Sequence, residues 1–134
     1  MAAFWAIHGV HHQSDHFNVS IALRHPWFSD TYSAPFYALA DVFVMPSRGE
    51  GFGYVFLEAL ASGVPAIGSK HDGGREALLH GELGLLVDPA NPAEIIAAVR
   101  EVLGRRPKRE IPPRLEYFSF ENFKTRVGRL METL

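Results

Sequence analysis

The sequence contains no cysteine, which excludes disulfides, thiolate nucleophiles and cysteine-ligated metals. It has no surplus of one charge: 13 Lys and Arg against 15 Asp and Glu give a net charge of -2, a poor match for a nucleic-acid binder. Hydrophobic residues make up 47% of the chain, but no run of them approaches the roughly 20 residues of a membrane span. The apolar start Met1–Ile7 stops at His8 and lacks the basic leader and length of a signal peptide. A cytoplasmic setting is therefore expected, with peripheral membrane contact left open. Asn18-Val19-Ser20 matches the N-glycosylation triplet and, without a secretion signal, reads as chance. Internal repeats and low-complexity tracts are absent as well.

What is present suits a globular chain of 134 residues, about one domain on a prior of roughly 150 residues each. Short β-branched runs alternate with helical patterns. Asn18–Leu23, Asp41–Met45, Val64–Gly68 and Leu83–Val87 read as strands, each bounded by Gly, Pro or polar residues. The second and third are continuously apolar, as in strands covered on both faces of a parallel sheet. Helices are expected from Ser33-Ala34-Pro35 to Ala40, from Gly53 or Tyr54 to Gly63, and over Gly74–His80. Asn91-Pro92-Ala93-Glu94 has the pattern of a capping box with proline at the first helical position. After Gly104, the basic and proline-rich RRPKREIPPR reads as a solvated connector. Ser119 then opens a helix with Phe120, Phe123, Val127, Leu130, Met131 and Leu134 on one face. Alternation of this kind predicts an α/β fold with a Rossmann-like parallel sheet flanked by helices. The expected division is an uncertain segment 1–28, the Rossmann-like domain 29–118 and the C-terminal amphipathic helix 119–134.

The most informative stretch is EGFGYVFLEALASGVP, Glu50 to Pro65. Glu58 interrupts a helix that is otherwise apolar on every side, and a carboxylate there is costly unless something meets it. Glu50 precedes it with seven residues between. Gly49, Gly51 and Gly53 let backbone approach a ligand closely. The helix start supplies unpaired N–H groups and partial positive charge suited to phosphate, at the carboxyl end of a strand. Two carboxylates flanking a diphosphate site match a nucleotide-sugar, with ribose hydroxyls at one end and hexose hydroxyls at the other. The plainer alternative makes Glu50 an exposed turn residue and pairs Glu58 with a lysine.

PSRGEGFGYVFLEALASGVPAI resembles the signature of retaining GT-B glycosyltransferases of the group 1, glycogen synthase-like type. ADVFVMPS, GGREAL at Gly73–Leu78, GELGLLVDP at Gly81–Pro89 and YFSFENF at Tyr117–Phe123 extend the likeness over about residues 28–134. The resemblance implies the C-terminal, donor-binding half of such an enzyme. It implies that Glu58 holds the ribose, that Glu50 contacts the donor hexose near the reacting carbon, and that the amides of Phe52, Gly53 and Tyr54, beside Gly51, bind sugar and phosphates. It implies a UDP-, GDP- or ADP-sugar as donor, no metal or other cofactor, and retained anomeric configuration. Gly73-Gly74 reads as a turn or, less simply, as a ligand contact. His8, His11, His12 and His16 cluster near the start and read as a polar surface segment rather than a zinc site; His71 stands beside the double glycine.

The family also carries an N-terminal acceptor-binding domain, and an arginine and a lysine that clamp the diphosphate. Residues 1–28 hold one such basic side chain, Arg24, and resemble neither feature. The expectation is therefore a donor-binding half that is inactive alone and completed by an acceptor domain in cis or in trans. A non-catalytic nucleotide-sugar-binding or interaction module is the alternative, and a sugar-nucleotide epimerase a weaker third.

Overall fold

In the computed structural model, residues 35–105 and 109–133 are described. The expected strand Asn18–Leu23 and the histidine cluster lie outside them. Three short strands form a parallel sheet in the order β1 (Phe43–Met45), β2 (Ala66–Ser69), β3 (Gly84–Val87). Phe43 pairs with Ala66 and Ala66 with Gly84, so the carboxyl ends of all three strands open on one edge. Residues 37–134 make one compact unit.

Helix α1 (Tyr54–Ala61) connects β1 to β2. It ends because Gly63 adopts φ 71°, with its N–H on the Leu60 carbonyl and that of Val64 on the Ala59 carbonyl. This is a Schellman closure, which favours glycine at its left-handed position. Between β2 and β3 stand the short helix α2 (Gly74–Ala77) and a 3-10 turn, Leu79–Gly81. The expected helix over Gly74–His80 thus stops early, because Leu79 and His80 take φ 46° and 56° and leave the helical path. Helix α3 (Pro92–Gly104) follows β3, and α4 (Phe120–Glu132) closes the chain after a 3-10 segment at Pro113–Phe118.

The sheet is covered on both faces, as the continuous apolar run at β2 predicts. On one face Phe56 and Leu60 of α1 pack with Ala66, Ala77, Leu78 and Leu83. On the other, Ile67 and Val87 pack with Ala98 and Val102 of α3. All four residues of β2 are buried.

Asn91 caps α3 by accepting the Glu94 N–H, 3.3 Å away, as its sequence predicts. The reciprocal half of the box is replaced: the Glu94 carboxylate pairs with Lys70 and accepts the Asp88 N–H at 3.3 Å. Ser119 caps α4 through the Asn122 N–H. The connector is not simply solvated. Arg109 donates to the carbonyls of Tyr37 and Ala40, and Arg114 pairs with Glu82 at 2.7 Å. The apolar residues of α4, from Phe120 to Met131, remain largely exposed.

Candidate functional site

The glycine-rich loop 46–53 leaves the carboxyl end of β1 and turns into α1 at Gly53. Gly53 takes φ 79°, a left-handed conformation that side chains resist. A Cβ there would also lie 2.8 Å from the Phe56 ring, so glycine is needed for both angle and space. Among the described residues, no acceptor meets the amide N–H groups of Phe52, Gly53 or Tyr54. Gly53 and Tyr54 are orphan donors of a helix start, Phe52 stands one residue before it, and no side chain caps the helix.

Glu58 lies on the second turn of α1 and is half-buried. Its Oε2 accepts the Tyr37 hydroxyl at 3.1 Å, and that hydroxyl also lies 3.4 Å from the Val55 carbonyl. The Tyr37 ring meets Phe43 edge-on, with centroids 6.0 Å apart. Glu50 is half-buried on the loop, where its Oε1 accepts the N–H of Gly51 at 3.1 Å. Neither glutamate forms an ion pair among the described residues, so the pairing of Glu58 with a lysine is not seen. Helix α1 is also not buried on every side, since Tyr54 is 71% exposed and Ala61 is exposed. Its core face is Phe56, Ala59 and Leu60.

Phe52 packs edge-on against Phe118 at 5.7 Å and tilts against Tyr54 at 5.3 Å. The 3-10 segment before α4 thereby buttresses the loop. Gly51 is exposed, and Gly49 and Gly51 have open space where a side chain would stand.

Ser47 and Asp72, which sequence reasoning did not single out, and Gly73, which it read as a turn or a ligand contact, hold the loop in place. The Ser47 hydroxyl donates to Asp72 Oδ2 at 2.6 Å, and the Glu50 N–H reaches the same oxygen at 3.3 Å. Asp72 Oδ1 accepts the Gly74 N–H at 3.0 Å, and Gly73 donates to the Glu50 carbonyl at 2.9 Å. A Cβ on Gly73 would stand 1.7 Å from the Gly51 carbonyl oxygen. Gly73 has an ordinary φ of -64°, so what this position needs is room. The Asp-Gly pair at 72–73 is a turn signal in sequence, and nothing local points to its contact with a loop over 20 residues earlier. His71 lies beyond, its Nε2 3.7 Å from Asp88 Oδ1. Among the described residues, no group of three or more His, Asp or Glu is placed to hold a metal ion, and no helix is long and apolar enough to cross a membrane.

The family model described as glycosyl transferases group 1 matches residues 18–105. The chain is similar to a D-inositol 3-phosphate glycosyltransferase of Geodermatophilus obscurus, 47% identical over 73 residues, which are 54% of this chain and 16% of that protein. It is also similar to a GDP-mannose-dependent alpha-(1-6)-phosphatidylinositol monomannoside mannosyltransferase of Mycobacterium tuberculosis, 45% identical over 74 residues, or 50% of this chain and 19% of the relative. A protein of the same description from Mycolicibacterium smegmatis is 36% identical over 109 residues, 73% of this chain and 28% of its own. The chain spans less than a third of the length of each of these relatives.

Proposed function

Since the chain belongs to the group 1 glycosyl transferases, we propose that it is the C-terminal, donor-binding half of a retaining enzyme that moves a hexosyl group from a nucleoside-diphosphate sugar to an acceptor. One observation carries this reading. Three unmet amides at the start of α1 lie in sequence between two half-buried glutamates, neither of them in an ion pair among the described residues. Donors that suit phosphate, with acceptors that suit hydroxyls before and after, fit a sugar nucleotide better than any neutral ligand.

In this reading Glu58 accepts the ribose hydroxyls through its free Oε1, while Tyr37 holds Oε2. Glu50 contacts the hexose, and the amides of Phe52, Gly53 and Tyr54 take the diphosphate and sugar. As the bond from the anomeric carbon to the diphosphate oxygen breaks, negative charge grows on the leaving group and the helix start stabilises it. An acceptor-binding domain, in cis or in trans, completes the cleft, so the chain by itself binds donor without turning it over. The donor is a substrate, and no further cofactor is proposed. A cytoplasmic setting goes with this reading. The names of the mannosyltransferase relatives make GDP-mannose the first donor to try.

Calorimetric titration of UDP-, GDP- and ADP-sugars into the wild type and Glu58→Ala tests the assignment. Removing a charged partner of two hydroxyls should cost about 1.5–3 kcal/mol, roughly 10- to 150-fold in Kd. Absence of binding by any of the three donors at millimolar concentration rejects it.

A further inference from the structure

Resting on the donor-site reading above, we propose that Asp72 is a positioning residue that sets the reach of Glu50 toward the sugar end of the donor. The loop that carries Glu50 has little to stiffen it from within, because Gly49 and Gly51 face open space. Beyond the packing of Phe52 on Phe118, its fixed points lie on the segment after β2. Asp72 Oδ2 takes two donors from the loop, the Ser47 hydroxyl at 2.6 Å and the Glu50 N–H at 3.3 Å. Oδ1 is held by the Gly74 N–H at 3.0 Å, which fixes the plane of the carboxylate. Gly73 completes the clamp by donating to the Glu50 carbonyl at 2.9 Å. Glu50 is thus gripped on both sides of its own backbone, and the Asp72 carboxylate forms no ion pair among the described residues.

The chemistry requires a carboxylate at this position. Both oxygens of Asp72 face donors, so an amide in its place meets an N–H or O–H with its own NH2 whichever way it is turned. Asp72→Asn should therefore lose either the Glu50 N–H contact or the Gly74 N–H that fixes the plane of the side chain, while changing little in volume. Helix α1, with Glu58 and Tyr37, lies outside these contacts. The consequence is graded: Phe52 and Gly53 share the loop but are held apart from Asp72, by the Phe118 ring and the Phe56 N–H, so loosening the backbone around Glu50 weakens the grip on the hexose more than the grip on ribose and diphosphate.

The test uses the full chain and the ligand pairs GDP and GDP-mannose, UDP and UDP-glucose, ADP and ADP-glucose, titrated by calorimetry. The wild type should bind one sugar nucleotide more tightly than its free diphosphate. Asp72→Asn should lose at least fivefold on that sugar nucleotide and less than twofold on the diphosphate. Ser47→Ala should shift the ratio the same way by a smaller factor, and Ser47→Thr, which keeps a hydroxyl, should restore it. Should Asp72→Asn fail to fold by circular dichroism, the two Ser47 variants carry the test. Equal losses on both ligands, or none on either, overturn the positioning role. So does a wild type that binds the diphosphate as tightly as its sugar nucleotide. A wild type that binds none of the six ligands overturns the donor-site reading, and this proposal with it.

Discussion

Glu58 stands on the second turn of α1, where Phe56 and Leu60 anchor the helix in the core, whereas Glu50 stands on a loop between two glycines that pack no side chain against anything. The first carboxylate needs one outside partner, the Tyr37 hydroxyl. The second depends on a set of contacts from Asp72 and Gly73 to the backbone around it. Regular structure positions a side chain through packing, and loops position one through specific polar contacts and close backbone approach. A loop-borne carboxylate should thus be lost to single changes far from it in sequence, while a helix-borne one should fade gradually.

The sharpest way to break that contrast is Gly73→Ala. The new methyl would stand 1.7 Å from the Gly51 carbonyl oxygen, a backbone atom that cannot turn aside. The loop must move, and forced overpacking of this kind costs about 1–3 kcal/mol. Nucleotide-sugar affinity should fall at least tenfold. Gly49→Ala is the matched control, since its methyl enters open space, and it should stay within twofold of wild type. Calorimetry that finds the two variants alike would refute the idea that backbone contact with Gly73 seats the loop.

Tyr37→Phe probes the other arm with a smaller effect. The ring keeps its edge contact with Phe43 while the hydroxyl that holds Glu58 Oε2 is removed. Because this hydroxyl only orients the carboxylate and does not itself touch the donor, its loss should cost less than removal of Glu58, about 1 kcal/mol or roughly fivefold in affinity. Because Glu58 serves the ribose in the proposed site, nucleoside diphosphate and sugar nucleotide should weaken together. A loss confined to the sugar nucleotide would reverse the roles assigned to the two glutamates.

How far the sequence is legible follows the same division. The helix at Pro92–Gly104 is marked by Asn91 and Pro92, that at Phe120–Glu132 by Ser119, and the end of α1 by Gly63. Caps and glycine angles are local chemistry, decided within about four residues. The buried β2 is legible from its unbroken apolar run. Glu58 stands out because a charge in an apolar helical run breaks its pattern, and Glu50 because of its spacing from Glu58 and the glycines around it. Asp72, Tyr37 and Arg109 do not, because each acts on a segment at least 18 residues away and leaves its own local pattern undisturbed. Leu79 and His80 are illegible for a different reason: nothing in Leu-Leu-His announces two consecutive positive φ angles. The capping-box motif at Asn91 correctly predicts a helix start but not the fate of Glu94, which a basic side chain from another strand end draws away.

That diverted glutamate offers the smallest and most indirect test of the clamp. Lys70, two residues before Asp72, pairs with Glu94 and ties the loop-holding segment to α3. The hydrogen bond from Lys70 is the main reason the Glu94 carboxyl titrates below the ordinary glutamate range, with the Asp88 N–H adding to it and desolvation opposing. A carboxyl whose folded pKa is depressed contributes stability above its unfolded pKa and loses it as pH falls through the folded one. The tie is therefore intact at neutral pH and released in acid. Both partners are partly exposed, so solvent screening keeps the effect small. Thermal melts from pH 7 down to pH 3 should show Lys70→Ala slightly less stable than wild type at the upper end and the two converging at the lower. At pH 7 the same variant should leave nucleoside-diphosphate binding unchanged and weaken the sugar nucleotide less than Asp72→Asn does. Melting curves that stay parallel across the range would show that Lys70 does not anchor the segment through Glu94, and that Asp72 holds the loop without support from behind.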